Sequence, residues 1–228
     1  MHTLMIIHKL RQLYVIFYFF LQPNIIGKMK LYISDLHFFH ESLLNNLDNR
    51  PFSSVEDMNE YMVYKWNERV KSHDEVYVLG DLSFGNVEET TKLLNRLKGK
   101  LTLIMGNHDS FAKKTAFNST RIREIKSYME INDNNRRVIL SHYPIMFYNG
   151  QFKQSTYMLY GHVHNSFDEV LINDFIKLAS SKKRPAKGFD SETTTPFNMI
   201  NCFCMFSNYT PLSLDEWIEL DRNRRLNY

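Results

Sequence analysis

Six of the nine histidines fall where an apolar run gives way abruptly to polar residues, and most have an Asp or Asn close by. Leu31-Tyr32-Ile33 leads into Ser34-Asp35-Leu36-His37, with His40 three residues on. Val76-Tyr77-Val78-Leu79 stops at Gly80-Asp81, and Leu101-Thr102-Leu103-Ile104-Met105 stops at Gly106-Asn107-His108-Asp109. Val138-Ile139-Leu140 ends in Ser141-His142, and Tyr157-Met158-Leu159-Tyr160 in Gly161-His162-Val163-His164. Imidazole, carboxylate and amide oxygen without thiolate suit manganese, iron or zinc better than calcium or a structural cysteine site. The seven donors Asp35, His37, Asp81, Asn107, His142, His162 and His164 are too many for one tetrahedral ion. They fit two ions about 3.5–4 Å apart that share one carboxylate, an arrangement that polarises a phosphoryl oxygen and acidifies a bridging water. Each motif alone is weak, since Asp-x-His also makes hydrogen-bonded turns and His-x-His arises by chance. Their recurrence after five separate apolar runs argues for a metal centre.

Those runs are short enough to be buried strands, and donors at successive strand ends gather on one rim of an α/β sheet. Between the first two, Val55, Met58, Met62, Trp66 and Val70 recur at helical spacing, with Ser53 or Ser54 as the cap. Asn86 caps a second helix that runs through Leu97, and Gly99 fits its end. This strand–helix–strand order is βαβ. Segments 128–131 and 137–140 flank Asn132-Asp133-Asn134-Asn135 and read as a β-hairpin. Segment 165–195, including Ser180 to Gly188, reads as an exposed loop, 197–206 as a strand, and 214–226 as a terminal helix capped by Ser213 with Glu216.

The chain has 228 residues, 43% of them apolar and 23% charged, as expected of one soluble domain. Residues 1–28 hold Lys9, Arg11 and Lys28 and no acid, and so carry the whole formal charge of +3. A neutral remainder argues against stable duplex nucleic-acid binding, which needs many phosphate-neutralising cations on one face. The apolar run at 13–21 is too short to span a bilayer and lacks a cleavage site of small residues. We expect residues 1–28 to be an extension outside the working protein, translation to begin at Met29, and 29–228 to form the functional domain. A membrane partner is expected only if that extension is native. Cys202 and Cys204, two apart in a strand, are expected to be reduced thiols on one face, which implies a cytoplasmic setting.

Asp35-Leu-His37, Gly80-Asp81, Gly106-Asn107-His108-Asp109, His142 and Gly161-His162-Val-His164 together resemble the signature of the calcineurin-like metallophosphoesterase superfamily. The order is that family's order, and the tail Asn208 to Asp215 resembles its small bacterial and phage members. The resemblance implies an α/β fold of two mixed β-sheets between helices (αββα), with a dimetal site at the carboxyl ends of the strands. By position, Asp35, His37 and His164 would hold one ion and Asn107, His142 and His162 the other, with Asp81 bridging. The implied cofactors are two divalent ions, manganese first, with iron, zinc or nickel as alternatives. The implied reaction is hydrolysis of a phosphomonoester or phosphodiester by a metal-bridging hydroxide. His108 would act as general acid or charge stabiliser, and Asp109 would orient its imidazole.

The same fold also serves as a protein-binding scaffold, and a nuclease would share the chemistry. His40 has two readings, a contact to substrate phosphate or a neighbour of the ligands. The cluster Lys182, Lys183, Arg184 and Lys187 either overhangs the site and grips a polyanion or is solvated.

Overall fold

Period-two burial in the strands builds the molecule in four layers. The computed structural model describes residues 27–185 and 191–226, so the expected extension lies almost wholly outside the described residues. Strands β1 (Lys30–Ile33), β2 (Glu75–Val78), β3 (Lys100–Ile104) and β4 (Ile122–Lys126) form a sheet that is parallel throughout, in the order 1-2-3-4. Strands β5 (Tyr128–Asp133), β6 (Arg136–Ser141), β7 (Thr156–Tyr160) and, after a small hairpin of β8 (Arg184–Pro185) and β9 (Glu192–Thr193), β10 (Met199–Asn201) complete the rest. The second four-stranded sheet has the order 10-7-6-5 and is mixed, because β5 and β6 are antiparallel.

One face of the first sheet presents Leu31, Ile33, Val76, Val78, Leu101 and Leu103 to helices α1 (Val55–Arg69) and α2 (Val87–Arg96). The alternate residues Tyr32, Tyr77, Leu79 and Ile104 face inward and meet Val138, Leu140, Leu159 and Ile200 of the second sheet. That sheet's outer face, Ile139, Met158, Tyr160 and Met199, packs under Ile172 and Ile176 of helix α3 (Phe167–Ser181). Helix α4 (Leu214–Arg225) sends Leu214 and Trp217 into the inter-sheet core, where the indole N–H of Trp217 donates to the Tyr32 carbonyl at 2.9 Å. This is the expected αββα class, with one wholly parallel sheet and one mixed sheet. No helix among the described residues is long and apolar enough to cross a membrane.

The expected caps are in place. Ser54 accepts from the Asp57 amide, and Asn86 with Glu89 and Ser213 with Glu216 form capping boxes. Three expectations need correction. Segment 165–195 is mostly not a loop, because α3 fills its first half. The apolar residues of that helix lie on opposite sides, Ile172 and Ile176 buried and Phe167, Leu171 and Leu178 exposed, so no single stripe marks it. Strand β4 lacks a sequence signal because it is an edge strand with three charged residues in five, no buried residue and Ile125 exposed. Finally, only Met199–Asn201 of segment 197–206 is strand, and Cys204 opens a 3-10 turn. The chain crosses there from one sheet to the other: the Cys202 amide bonds the Tyr160 carbonyl and the Cys204 amide the Ser34 carbonyl. The two cysteines are free and buried, but they lie in different cores rather than on one face.

If Trp217 plugs the inter-sheet core, Trp217→Ala should lower the unfolding free energy in urea by about 3–5 kcal/mol. Ser213→Ala, which removes only the cap, should cost about 1 kcal/mol. Equal costs would show that the indole is not a core element.

Candidate metal centre

All five of the donor-bearing runs end at one edge of the sandwich, and the backbone there is unusual. Asp35, His37, Asp81, His162 and His164 have φ of 55°, 50°, 52°, 73° and 49°, the left-handed region that non-glycine residues rarely adopt. Each such residue costs on the order of 1–3 kcal/mol, and clustering of this kind marks functional sites. Two glycines let the strand ends approach. A Cβ on Gly106 would collide with the Asp81 carboxylate and lie 2.6 Å from its amide nitrogen, and one on Gly161 would lie 2.5 Å from Asp35 Oδ2.

Asp35, His37, Asp81, His142 and His164 are all buried, whereas Asn107, His108 and His162 are exposed at the mouth. The ring nitrogen His37 Nε2 lies 3.2 Å from His164 Nε2 and 3.4 Å from Asp81 Oδ2. His142 Nε2 reaches the same Asp81 oxygen at 3.5 Å and Asn107 Oδ1 at 3.0 Å, and His162 Nδ1 is 3.1 Å from that amide oxygen. His164 Nε2 is 3.7 Å from Asp35 Oδ1. One set is therefore Asp35, His37 and His164, a second surrounds His142 with Asn107 and His162, and Asp81 faces both. Asp35 and Asp81 also group with His142 at coordinating distance.

Tautomers decide what this cluster is for. His142 Nδ1 donates to the Leu79 carbonyl at 2.9 Å, and His164 Nδ1 donates to Asp48 Oδ1 at 2.7 Å. Their Nε2 atoms point at oxygens of Asn107, Asp35 and Asp81. Among the described residues no Lys or Arg pairs with either the Asp35 or the Asp81 carboxylate. Burial pushes the Asp35 carboxyl above its usual range, with His164 and His142 opposing. Burial, and then His164, hold His37 far below the usual imidazole range, which leaves it in the neutral form that ligates. Buried carboxylates and imidazole nitrogens converge here with donor chemistry suited to a cation, so these residues fit a divalent metal.

His108 stands at the rim, 5.0 Å from the half-exposed Phe84 ring and 5.4 Å from His37, centroid to centroid. Its amide donates to Asp81 Oδ1 at 2.9 Å. Asp109 does not orient the His108 imidazole. Its fully buried carboxylate accepts the amides of Asp81 at 2.9 Å, Leu82 at 2.8 Å and Gly106 at 2.8 Å, so it ties the end of β2 to the end of β3. His40 is a neighbour of the ligands: its Nδ1 lies 3.2 Å from His37 Nδ1, its Nε2 contacts Ser42, and its ring stacks on Phe84 at 3.8 Å.

Lys182, Lys183 and Arg184 follow α3, a helix of 15 residues and so about 22 Å long that starts three residues after His164. Lys183 pairs with Glu192 and Arg184 covers Phe152, while Lys187 is outside the described residues. Asp48 and Arg50 escaped the sequence reading, because neither lies at a strand end or on a periodic face.

The family model for the calcineurin-like phosphoesterase superfamily domain matches residues 29–173. The chain belongs to this superfamily. It is 34% identical over 195 residues to the uncharacterized protein MJ1445 of Methanocaldococcus jannaschii, an alignment covering 84% of this chain and 90% of that protein. Its fold resembles the crystal structure of the protein of unknown function AQ665 from Aquifex aeolicus, with a TM-score of 0.61 and 23% identity, covering 85% of this chain and all of that one. The matched family segment contains every donor described above.

The two roles considered for Asp109 predict different defects. As a backbone clamp, its loss leaves three amides without their acceptor, so Asp109→Ala should lower stability by about 3 kcal/mol or more in urea unfolding. Wild-type stability with reduced turnover would restore the role of imidazole orienter.

Proposed function

We propose that this calcineurin-like phosphoesterase is an active hydrolase that cleaves a phosphomonoester or phosphodiester with two divalent ions. The observation that carries this reading is the convergence of imidazole and carboxylate lone pairs around Asp35 and Asp81, with His108 exposed beside them. Asp35, His37 and His164 would hold one ion and Asn107, His142 and His162 the other, with Asp81, which faces both sets, available to both. Bound there, divalent ions supply Lewis-acid polarisation of a phosphoryl oxygen and water acidified for attack. The donor set favours manganese, with iron, zinc or nickel as alternatives.

The rest of the chemistry belongs to the protein. His37 and His142 share one oxygen of Asp81 and so fix the spacing of the two positions. Asn107 contributes oxygen without charge, which leaves the centre more positive toward an anionic phosphoryl group. His108 carries a proton to the leaving-group oxygen from the solvent side, held by its own amide bond to Asp81 and flanked by Phe84. The carboxylate that bonds to that amide is also a ligand, so acid and metal positions are set by one side chain. The neutral charge of the body supports a small phosphoester over duplex nucleic acid. The two buried free thiols support a reducing, cytoplasmic setting.

The test is hydrolysis of 4-nitrophenyl phosphate and bis(4-nitrophenyl) phosphate with added Mn²⁺, with bound metal measured by elemental analysis. Activity should vanish with EDTA and in Asp81→Ala. His108→Ala should retain its metal and lose about 10²–10⁴-fold in turnover. Asn107→Ala should lose metal. Wild-type turnover no greater than that of Asp81→Ala would refute the hydrolase reading, and equal metal loss in the two other variants would refute the division of roles.

A further inference from the structure

Among the described residues the most buried cation, Arg50, serves no ion pair on the surface and is no metal ligand. The Arg50 side chain is 0% exposed, and its partner Asp48 3%. Arg50 Nη2 and Nε reach Asp48 Oδ2 at 2.9 and 3.0 Å. Its Nη1 donates to the Leu36 carbonyl at 2.7 Å and its Nη2 to the Asp35 carbonyl at 2.9 Å. The aromatic rings of Phe203 and Tyr209 and the sulfurs of Met58 and Met62 complete its surroundings. Burying an ion pair in an apolar core is often no better for stability than packing hydrophobic residues there. Its contacts point to a different role.

Two of its hydrogen bonds end on the carbonyls of the donor Asp35 and its neighbour Leu36, and its partner Asp48 contacts the donor His164. Asp35 has a left-handed backbone, and Arg50 holds its carbonyl and the next one, which fixes the direction in which the Asp35 carboxylate points. Asp48, held by the guanidinium through one oxygen, uses the other to take the proton on His164 Nδ1. That bond selects the tautomer of His164 and turns its Nε2 toward Asp35. The corresponding partner of His142 is a neutral carbonyl, that of Leu79. So the two sets of donors are backed unequally, and only the one containing His164 has a carboxylate behind its imidazole. Such a carboxylate raises the basicity of a ligating imidazole.

We propose that Asp48 and Arg50 are a positioning pair that orients His164 and Asp35 and sets the affinity of that metal position. The proposal rests on the metal-centre reading above. It assigns a task to residues 41–54, ahead of α1, which carry no donor of their own. It also accounts for a fully buried arginine that is otherwise a cost.

The test is Mn²⁺ binding to the full-length protein, read from the electron paramagnetic resonance signal of the free ion, with the fold of each metal-free variant checked by circular dichroism. Asp48→Ala should weaken Mn²⁺ binding by about 10–100-fold. Asp48→Asn keeps an oxygen acceptor for His164 Nδ1 and should lose several-fold less. In a His164→Ala background Asp48→Ala should have no further effect, because the residue acts through that imidazole. Equal weakening in both backgrounds, or wild-type affinity in Asp48→Ala, overturns the proposal. If the alanine variant does not fold, Asp48→Asn compared with and without His164→Ala decides on the same criterion. Failure of the wild type to bind Mn²⁺ overturns the metal centre itself, an outcome distinct from binding that survives the Asp48 substitutions.

Discussion

Two carboxylates, Asp35 and Asp81, are held out of water with imidazole nitrogens around them and, among the described residues, no Lys or Arg against them. Uncompensated, that arrangement opposes folding, because burying charge costs far more than an ordinary contact returns. The sandwich tolerates it because three apolar clusters, one under each helix layer and one between the sheets, are closed independently of the site. The carboxylates sit at the rim of these cores rather than within them. Parallel strands make this placement cheap, since all of β1, β2, β3 and β7 end at the same edge. Left-handed residues then turn the side chains inward over that edge.

The donors were legible in the sequence because every one follows directly on a short apolar run. A strand end fixes where a side chain is within a residue or so, and five strand ends in one parallel arrangement fix a site. Helices α1, α2 and α4 were legible for a related reason: each has a cap residue followed by one apolar stripe. Helix α3 lacked that stripe, and β4 had half of its alternation in charged residues. Tertiary context decided both.

Other features lay beyond local reasoning altogether. Asp109 looked like the partner of the histidine beside it, but both of its oxygens turn back onto amides of two strands. Adjacent residues in a tight turn face different ways, and sequence proximity says little about which groups meet. The cysteine pair errs in the same manner, because the chain changes sheets between Cys202 and Cys204. Asp48 and Arg50 are invisible in sequence since their significance lies in long-range contacts, such as that of Asp48 with His164, 116 positions away.

The sheet that supplies Asp35, His37, Asp81 and Asn107 and the sheet that supplies His142, His162 and His164 come from successive halves of the chain. Neither half contains a complete set of donors, since the set with Asp35 needs His164 and the set with Asn107 needs His142. A metal held there is therefore also a rivet across the seam between the sheets. Its occupancy reports on whether the seam is closed, and the ion adds its binding free energy to the resistance of the two sheets to separation. The N-terminal half alone would offer a metal only Asp35, His37, Asp81 and Asn107, an incomplete set for either position.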